Sequence, residues 1–352
     1  MRKPIAMLLT PALALSLLAG CAGKPAATAP AATEAPTVTE AATEAAAAPV
    51  KTGLYIGTDL SGSKAATAEE GGQAKFDVTL VAVTVTDDGV IASCVIDTIP
   101  ASVGFDAEGV ITTELTAEVL TKNELGEGYG MKAHGGSQYE WNEQAAALAR
   151  YAEGKTVEQL RTGAVDETGY AKDADLASTA SIYLGGYVDG IAAAVENAQH
   201  LGAKSGDKLS LATVNALDGS KDAAADEDGV AQLYSYITAL TMNGDVISSC
   251  YIDSLQAKVS FDTAGAITSD LTAEVLTKNE LGEDYGMKAY GGAAFEWNEQ
   301  AASFAAYVTG KTAAEVSGIA VTEDNKAADA DLASSVTISI GSFLDLIGKA
   351  AN

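Results

Sequence analysis

Leu115–Gly136 reads LTAEVLTKNELGEGYGMKAHGG, and Leu271–Gly292 reads LTAEVLTKNELGEDYGMKAYGG. Two aligned positions differ: Gly128 against Asp284, and His134 against Tyr290. The offset, 271 − 115 = 156, also joins Cys94 to Cys250, Phe105 to Phe261, Trp141 to Trp297 and Asp175 to Asp331. The chain is therefore a tandem duplication. Its period is too long for a solenoid repeat of about 20–50 residues and suits a domain of about 100–150. The copies are expected at 51–200 and 201–352.

Within one copy, strand patterns come first. Lys75–Thr86 alternates apolar and polar residues, Asp87-Asp88-Gly89 forms a turn, and Val90–Ile96 returns, which predicts a hairpin. Its counterpart is Tyr234–Met242, a turn at Asn243-Gly244-Asp245, and Val246–Ile252. A third strand is expected through Val103–Phe105 and Gly109–Ile111, matched by Val259–Ile267. Helical spacing then covers Gln138–Ala152, with Trp141, Ala145, Leu148 and Tyr151 on one side, and a short helix follows at Thr156–Arg161. A last helix is expected over Leu176–Ala198, with Asp175 as its N-cap. Strands followed by helices predict an α+β fold, two tandem copies of one domain, each an antiparallel sheet packed with helices. About 150 residues per copy suffice to bury a core.

The N-terminal stretch is a processing segment. Arg2 and Lys3 precede the apolar run Ile5–Leu18, which is shorter than the roughly 17–25 residues a spanning helix needs. Leu18-Ala19-Gly20-Cys21 resembles a bacterial lipobox. That resemblance implies a signal peptide over 1–20, a lipid anchor on Cys21, and residence on the extracellular face of the cell membrane. Residues 21–50, mostly Ala, Pro, Thr and Glu, hold too little large apolar surface to fold and read as a disordered tether. The full chain carries 48 acidic against 21 basic residues, a net charge of −27. Such a surface repels nucleic acid, so no nucleic-acid partner is expected. Cys94 and Cys250 lie inside the apolar runs VIASCVID and VISSCYID, as small hydrophobes. The spacings offer neither a disulfide framework nor a CxxC pair.

Chemistry is narrowed by elimination. The chain has two histidines, His134 and His200, and His134 gives way to Tyr290 in the second copy. No base recurs for a Ser-His-Asp or Cys-His mechanism, no His/Cys set suits zinc, and no glycine-rich phosphate loop appears. No catalytic residue and no metal ligand is assigned. Glu140 and Glu143 recur as Glu296 and Glu299. They are either a carboxylate pair of the glycosidase kind or a solvated helix face. Met131-Lys132 and Met287-Lys288 follow Tyr-Gly in the near-identical block. They belong either to a loop that needs glycine backbone angles or to the wall of a ligand pocket.

The tails carry Asp175-Leu176-Ala177-Ser178-Thr179-Ala180-Ser181 and Asp331-Leu332-Ala333-Ser334-Ser335-Val336-Thr337. Both resemble the flavinylation motif of the FMN-binding domain family, Dxx[S/T]-Gly-Ala-[S/T], at the same offset. In that family an exported, magnesium-dependent flavin transferase joins the FMN phosphate to the last hydroxyl. The resemblance implies covalent FMN on Ser181 and Thr337, with Asp175 and Asp331 as the motif's acid and Ser178 and Ser334 as its first hydroxyl. The motif glycine is replaced by Thr179 and Ser335, and its alanine is Ala180 in one copy but Val336 in the other. With the lipobox and the ELGxxYGMK segment, the chain resembles flavinylated lipoproteins of Gram-positive extracellular electron transfer. That implies an electron carrier rather than a catalyst, served by a flavin transferase and a membrane-bound electron donor. Independently of the family, a hydroxyl in the first turns of a helix would meet free N–H groups and the helix dipole, both suited to a phosphate. The competing reading is a non-enzymatic surface module with degenerate flavin motifs that binds a small ligand or another protein.

Overall fold

Period-two burial runs further along the chain than the local alternation predicts. The computed structural model describes residues 47–352. In the first repeat β1 (Lys51–Asp59), β2 (Gly72–Val85) and β3 (Ile91–Phe105) form an antiparallel sheet in the order β1-β2-β3. In the second, β4 (Lys208–Ala216), β5 (Gly229–Asn243) and β6 (Val246–Phe261) repeat it. β1 and β4 add a strand that the hairpin pattern did not predict. Val103–Phe105 is the end of β3 rather than a separate strand, and Ile111 adds one isolated bridge to Phe105. Pro100 sits inside β3 opposite Asp77, tolerated because β3 is an edge strand of its sheet.

The pairing register corrects the uniform offset. Gly72 pairs with Phe105 and Gly229 with Phe261, so β2 and β5 are 229 − 72 = 157 apart while β3 and β6 are 261 − 105 = 156 apart. The difference lies in the hairpin, whose turn is one residue shorter in the second repeat; each turn uses a glycine with positive φ, 77° at Gly89 and 58° at Gly244.

Alternation along β2 assigns its two faces. Ala74, Phe76, Val78, Leu80 and Ala82 join Ala231, Leu233, Ile237 and Ala239 in one apolar layer drawn from both sheets. Val81 and Val83 point the other way, beneath the helices of their own repeat. Leu240, Met242 and Ile252 do the same in the second repeat. Within the shared layer Phe105 stacks on Phe261, with centroids 4.1 Å apart and rings parallel. Beside them Ala66 N–H donates to Gly265 O (2.8 Å) and Ala223 N–H to Gly109 O (2.9 Å). These are equivalent pairs, so the contact has the isologous form of a two-fold dimer. The copy boundary expected at 200/201 falls between the last helix of one repeat and β4, but the apolar layer is not divided there.

The helices of the first repeat are α1 (Lys122–Leu125), α2 (Met131–Gly135), α3 (Trp141–Ala152), α4 (Val157–Gly163), α5 (Ala174–Thr179) and α6 (Gly185–Glu196). Those of the second are α7 (Lys278–Leu281), α8 (Trp297–Val308), α9 (Ala313–Ser317), α10 (Ala330–Ala333) and α11 (Gly341–Ala350). The fold is α+β, built on two three-stranded antiparallel sheets. The single last helix expected over Leu176–Ala198 is broken into α5 and α6, with Ala180 extended between them (φ −106°, ψ 110°). The N-cap is Asp173, not Asp175: its carboxylate accepts from Asp175 N–H (3.0 Å) and Leu176 N–H (3.1 Å). Asp329 does the same for α10 at 3.1 Å to both donors. An N-cap carboxylate reaches forward to the N2 and N3 amides, which places the second acidic residue of each pair inside the first turn.

Candidate functional site

The near-identical block earns its sequence locally. Thr121 and Glu124 close a capping box: Glu124 N–H donates to Thr121 Oγ1 (3.2 Å) and Thr121 N–H to Glu124 Oε2 (2.8 Å). Asn123 fastens α1 to β3, donating its N–H to Asp97 Oδ1 (3.0 Å) and its side-chain amide to Ile96 O (2.9 Å). Asn279 does the same with Asp253 (3.0 Å) and Ile252 O (3.0 Å). Burial pushes Asp97 up to about 6 and Asp253 up to about 7. Held this way, Lys122 is buried with its ammonium over the rings of Tyr129 (4.9 Å) and Trp141 (5.1 Å).

Glu140 and Glu143 are not a catalytic pair. Glu140 is buried and accepts from Met131 N–H (2.8 Å) and Lys132 N–H (3.1 Å). Glu143 accepts from Glu140 N–H (2.7 Å) and pairs with Lys132 (3.3 Å). The Glu140 amide first, and Lys132 second, hold Glu143 below its ordinary value. Glu296, Glu299, Met287 and Lys288 repeat this at nearly equal distances. The demanding-loop reading of Met-Lys thus has a concrete basis: Gly130 and Gly286 stand before it with φ of 80°. Lys132 and Lys288 turn to carboxylates.

A glutamine connects this block to the tail motif. Gln144, fully buried in α3, accepts at Oε1 from Ser181 N–H (2.7 Å), Ser181 Oγ–H (3.2 Å) and Ile182 N–H (3.1 Å). Its amide donates to Tyr139 O (3.0 Å) and Ser137 Oγ (3.2 Å). Gln300 holds Thr337 N–H (2.8 Å), Thr337 Oγ1–H (3.1 Å) and Ile338 N–H (3.2 Å) in the same way. Two amides that a continuous helix would spend on its own carbonyls are taken by the glutamine, which is why the helix breaks here. The hydroxyls of Ser181 and Thr337 therefore do not sit at a helix N-terminus, and the dipole argument for a phosphate does not apply to them. Both residues are exposed, whereas the preceding Ala180 and Val336 are buried. Thr179 and Ser335 stand at the motif's glycine without a positive φ, so the backbone does not require glycine there.

In the first repeat a cleft of about 610 Å³ is lined by Ile182 and Tyr183, which follow Ser181 in the chain. Its walls include Tyr55, Trp141, Tyr187, Met131 and Ile182, with Lys122 among them. Trp141 N–H donates to Tyr187 Oη (3.2 Å), the rings meeting edge to face. Burial holds the Tyr55 phenol above its ordinary value. Met131 Sδ lies 3.9 Å from Gln144 Nε2, so one glutamine touches both the cleft wall and the Ser181 segment. Asp175 and Ser178 lie outside the cleft lining: both are exposed, and Ser178 Oγ donates to Asp175 O (2.7 Å). Asp331 and Ser334 show the same bond at 2.7 Å.

No protein-family model, curated protein or solved structure matches the chain. Among the described residues, no helix is long and apolar enough to cross a membrane, and no group of three or more His, Cys, Asp or Glu could hold a metal ion. Cys94 and Cys250 are both free and buried; burial pushes the Cys94 thiol up and Cys250 up to about 12. Cys21 and the tether up to residue 46 lie outside the described residues.

Neither Lys122 nor Gln144 belongs to the motifs singled out in the sequence. The signal was present, because TKNEL and EWNEQAA occur unchanged in both repeats. A glutamine on the apolar side of an amphipathic helix, repeated, asks for a buried partner.

Proposed function

We propose that the chain is a lipid-anchored protein of the cell surface, made of two tandem copies of an FMN-binding domain. It carries electrons outside the membrane, from a membrane-bound donor. The observation that supports this best is the exposed Ser181 hydroxyl, fixed by Gln144 one residue before Ile182, which lines an aromatic-walled cleft. Ligand clefts span about 300–1,000 Å³, and this one lies within that range. Tyr55, Trp141 and Tyr187 suit a flat heteroaromatic ring. Lys122 suits an anionic or carbonyl oxygen. These residues fit a flavin, whose ring supplies the electron-carrying chemistry when bound, while the protein sets position and surroundings.

Attachment requires of this chain only a nucleophilic oxygen. The Ser181 or Thr337 oxygen forms a P–O bond to the flavin phosphate of a pyrophosphate donor held by the transferase. The donor's pyrophosphate bond breaks, its other half leaves as a phosphate monoester, and the hydroxyl proton passes to solvent. The test is intact mass after co-expression with a flavin transferase. The wild type gains one or two FMN masses, and Ser181→Ala with Thr337→Ala gains none while remaining folded. A wild type that stays colourless and unmodified would favour the non-redox binding module instead.

A further inference from the structure

The two repeats differ where the cleft lies. Register places Tyr234 at the position of Asp77, since Asp77 pairs with Pro100 and Tyr234 with Gln256, 256 − 100 = 156. Tyr236 likewise stands at the position of Thr79. The Lys278 ammonium donates to Tyr234 Oη (2.6 Å) and lies over the Tyr234 (4.7 Å), Tyr285 (4.6 Å) and Trp297 (4.9 Å) rings. Tyr234 packs on Tyr236 (4.9 Å), and Tyr236 meets Phe343 edge to face (5.6 Å). Phe343 is the counterpart of Tyr187, so these rings fill the Lys278 end of the second repeat's version of this space, while at its other end Val214, Asn215, Ser339 and Ser342, the counterparts of Gly57, Thr58, Tyr183 and Gly186, line a cleft of about 930 Å³.

Lys122 has no such acceptor. Among the described residues its ammonium makes ring contacts alone, although the residue is 9% exposed, against 3% for Lys278. An ammonium at the wall of a cleft gains from an oxygen acceptor placed there. In the second repeat the chain supplies that oxygen from Tyr234. In the first, Asp77 is engaged by Lys75 (2.6 Å) and the cleft stays open.

We infer that the repeats are unequal: the first is the ligand-binding copy, with Lys122 receiving an oxygen of a flat aromatic ligand, and in the second Tyr234 stands in for that oxygen at Lys278. The inference rests on the flavin reading and deepens it by assigning the ring to one repeat. It also separates ring binding from attachment, because Thr337 is exposed like Ser181 and keeps its glutamine.

The test is equilibrium dialysis of FMN against the mature chain expressed without a transferase, read by flavin absorbance. One equivalent is expected. Lys122→Met should weaken FMN binding about tenfold or more, the effect of losing one charged hydrogen bond, and Lys278→Met should leave it within about twofold. Each variant is checked for a cooperative melt, and Lys122→Arg, which retains a donor, should recover most of the binding. Tyr234→Asp with Tyr236→Thr should admit a second equivalent. Two equivalents in the wild type, or equal losses from the two lysine variants, would overturn the inequality and leave the flavin reading standing. No FMN uptake by the wild type would overturn the flavin reading and the inequality with it.

Discussion

Replacing Gln144 by Leu tests whether one buried amide holds the tail motif. The side chains are similar in size, so packing in α3 is largely kept. What is lost is an acceptor shared by Ser181 N–H, Ser181 Oγ–H and Ile182 N–H, at 2.7, 3.2 and 3.1 Å. A buried donor left without a partner costs about 1–3 kcal/mol. Ser181 is exposed and its hydroxyl can turn to water, so the two amides dominate and Ser181 pays toward the lower end. The expected loss is about 2–3 kcal/mol, read as a lower urea midpoint at unchanged slope. Hydrogen exchange at Ser181 and Ile182 should quicken by about 30-fold or more, since roughly 1.4 kcal/mol is tenfold. Gln300→Leu should behave alike, with a smaller loss, because Gln300 donates to Phe295 O (3.0 Å) and Ala293 offers no hydroxyl where Ser137 does. A Gln144→Leu protein within about 0.5 kcal/mol of wild type, with unchanged exchange at both amides, would refute the claim that this glutamine fixes the segment.

Cys21→Ser should release the protein from membranes in fractionation; retention through the N-terminus would contradict the lipobox reading. Fragments 51–200 and 201–352, expressed apart, expose the apolar layer that both sheets share, so each should be less stable alone and the pair should associate on mixing, seen by sedimentation and urea unfolding. Two monomeric fragments as stable as the whole chain would show that the layer contributes little. Asp253 ionises at about 7 in the folded state because of burial first, against about 3.9 unfolded. The folded state therefore holds a proton that the unfolded state has released, so the stability from this group is largest below about pH 4 and is lost as pH rises to about 7. Asp253→Asn cannot release a proton, and its stability relative to wild type should climb over that window; a difference independent of pH would contradict the shift.

Much of the architecture was legible because it rests on contacts between near neighbours. Turn glycines marked the hairpins and helical spacing marked α3, whereas the capping boxes at Thr121 and Thr277 came from the structure. The N-cap was displaced by two residues because Asp173 and Asp175 offer the same chemistry, and only the helix start decides which side chain reaches the free amides. β1 was missed because Lys51–Asp59 gains its order by pairing with β2 along its whole length, a gain that does not show in the strand's own alternation.

The site was legible only in part. The exposed hydroxyls could be named from the motif, but the break that presents them could not, since Gln144 and Ser181 are 37 residues apart. The duplication, the α+β class and the acidic surface were determined by the sequence alone, through repetition, periodicity and charge, while the candidate acceptors rest on the motif's resemblance to a known family. Tertiary structure decided that the sheets share one core, that Glu140 is a cap, and that Tyr234 meets Lys278 where Lys122 faces an open cleft. The physical reason is the range of the interactions: caps, turns and strand alternation act within a few residues, whereas burial and the pairing of a buried ammonium depend on residues that only the folded backbone brings together.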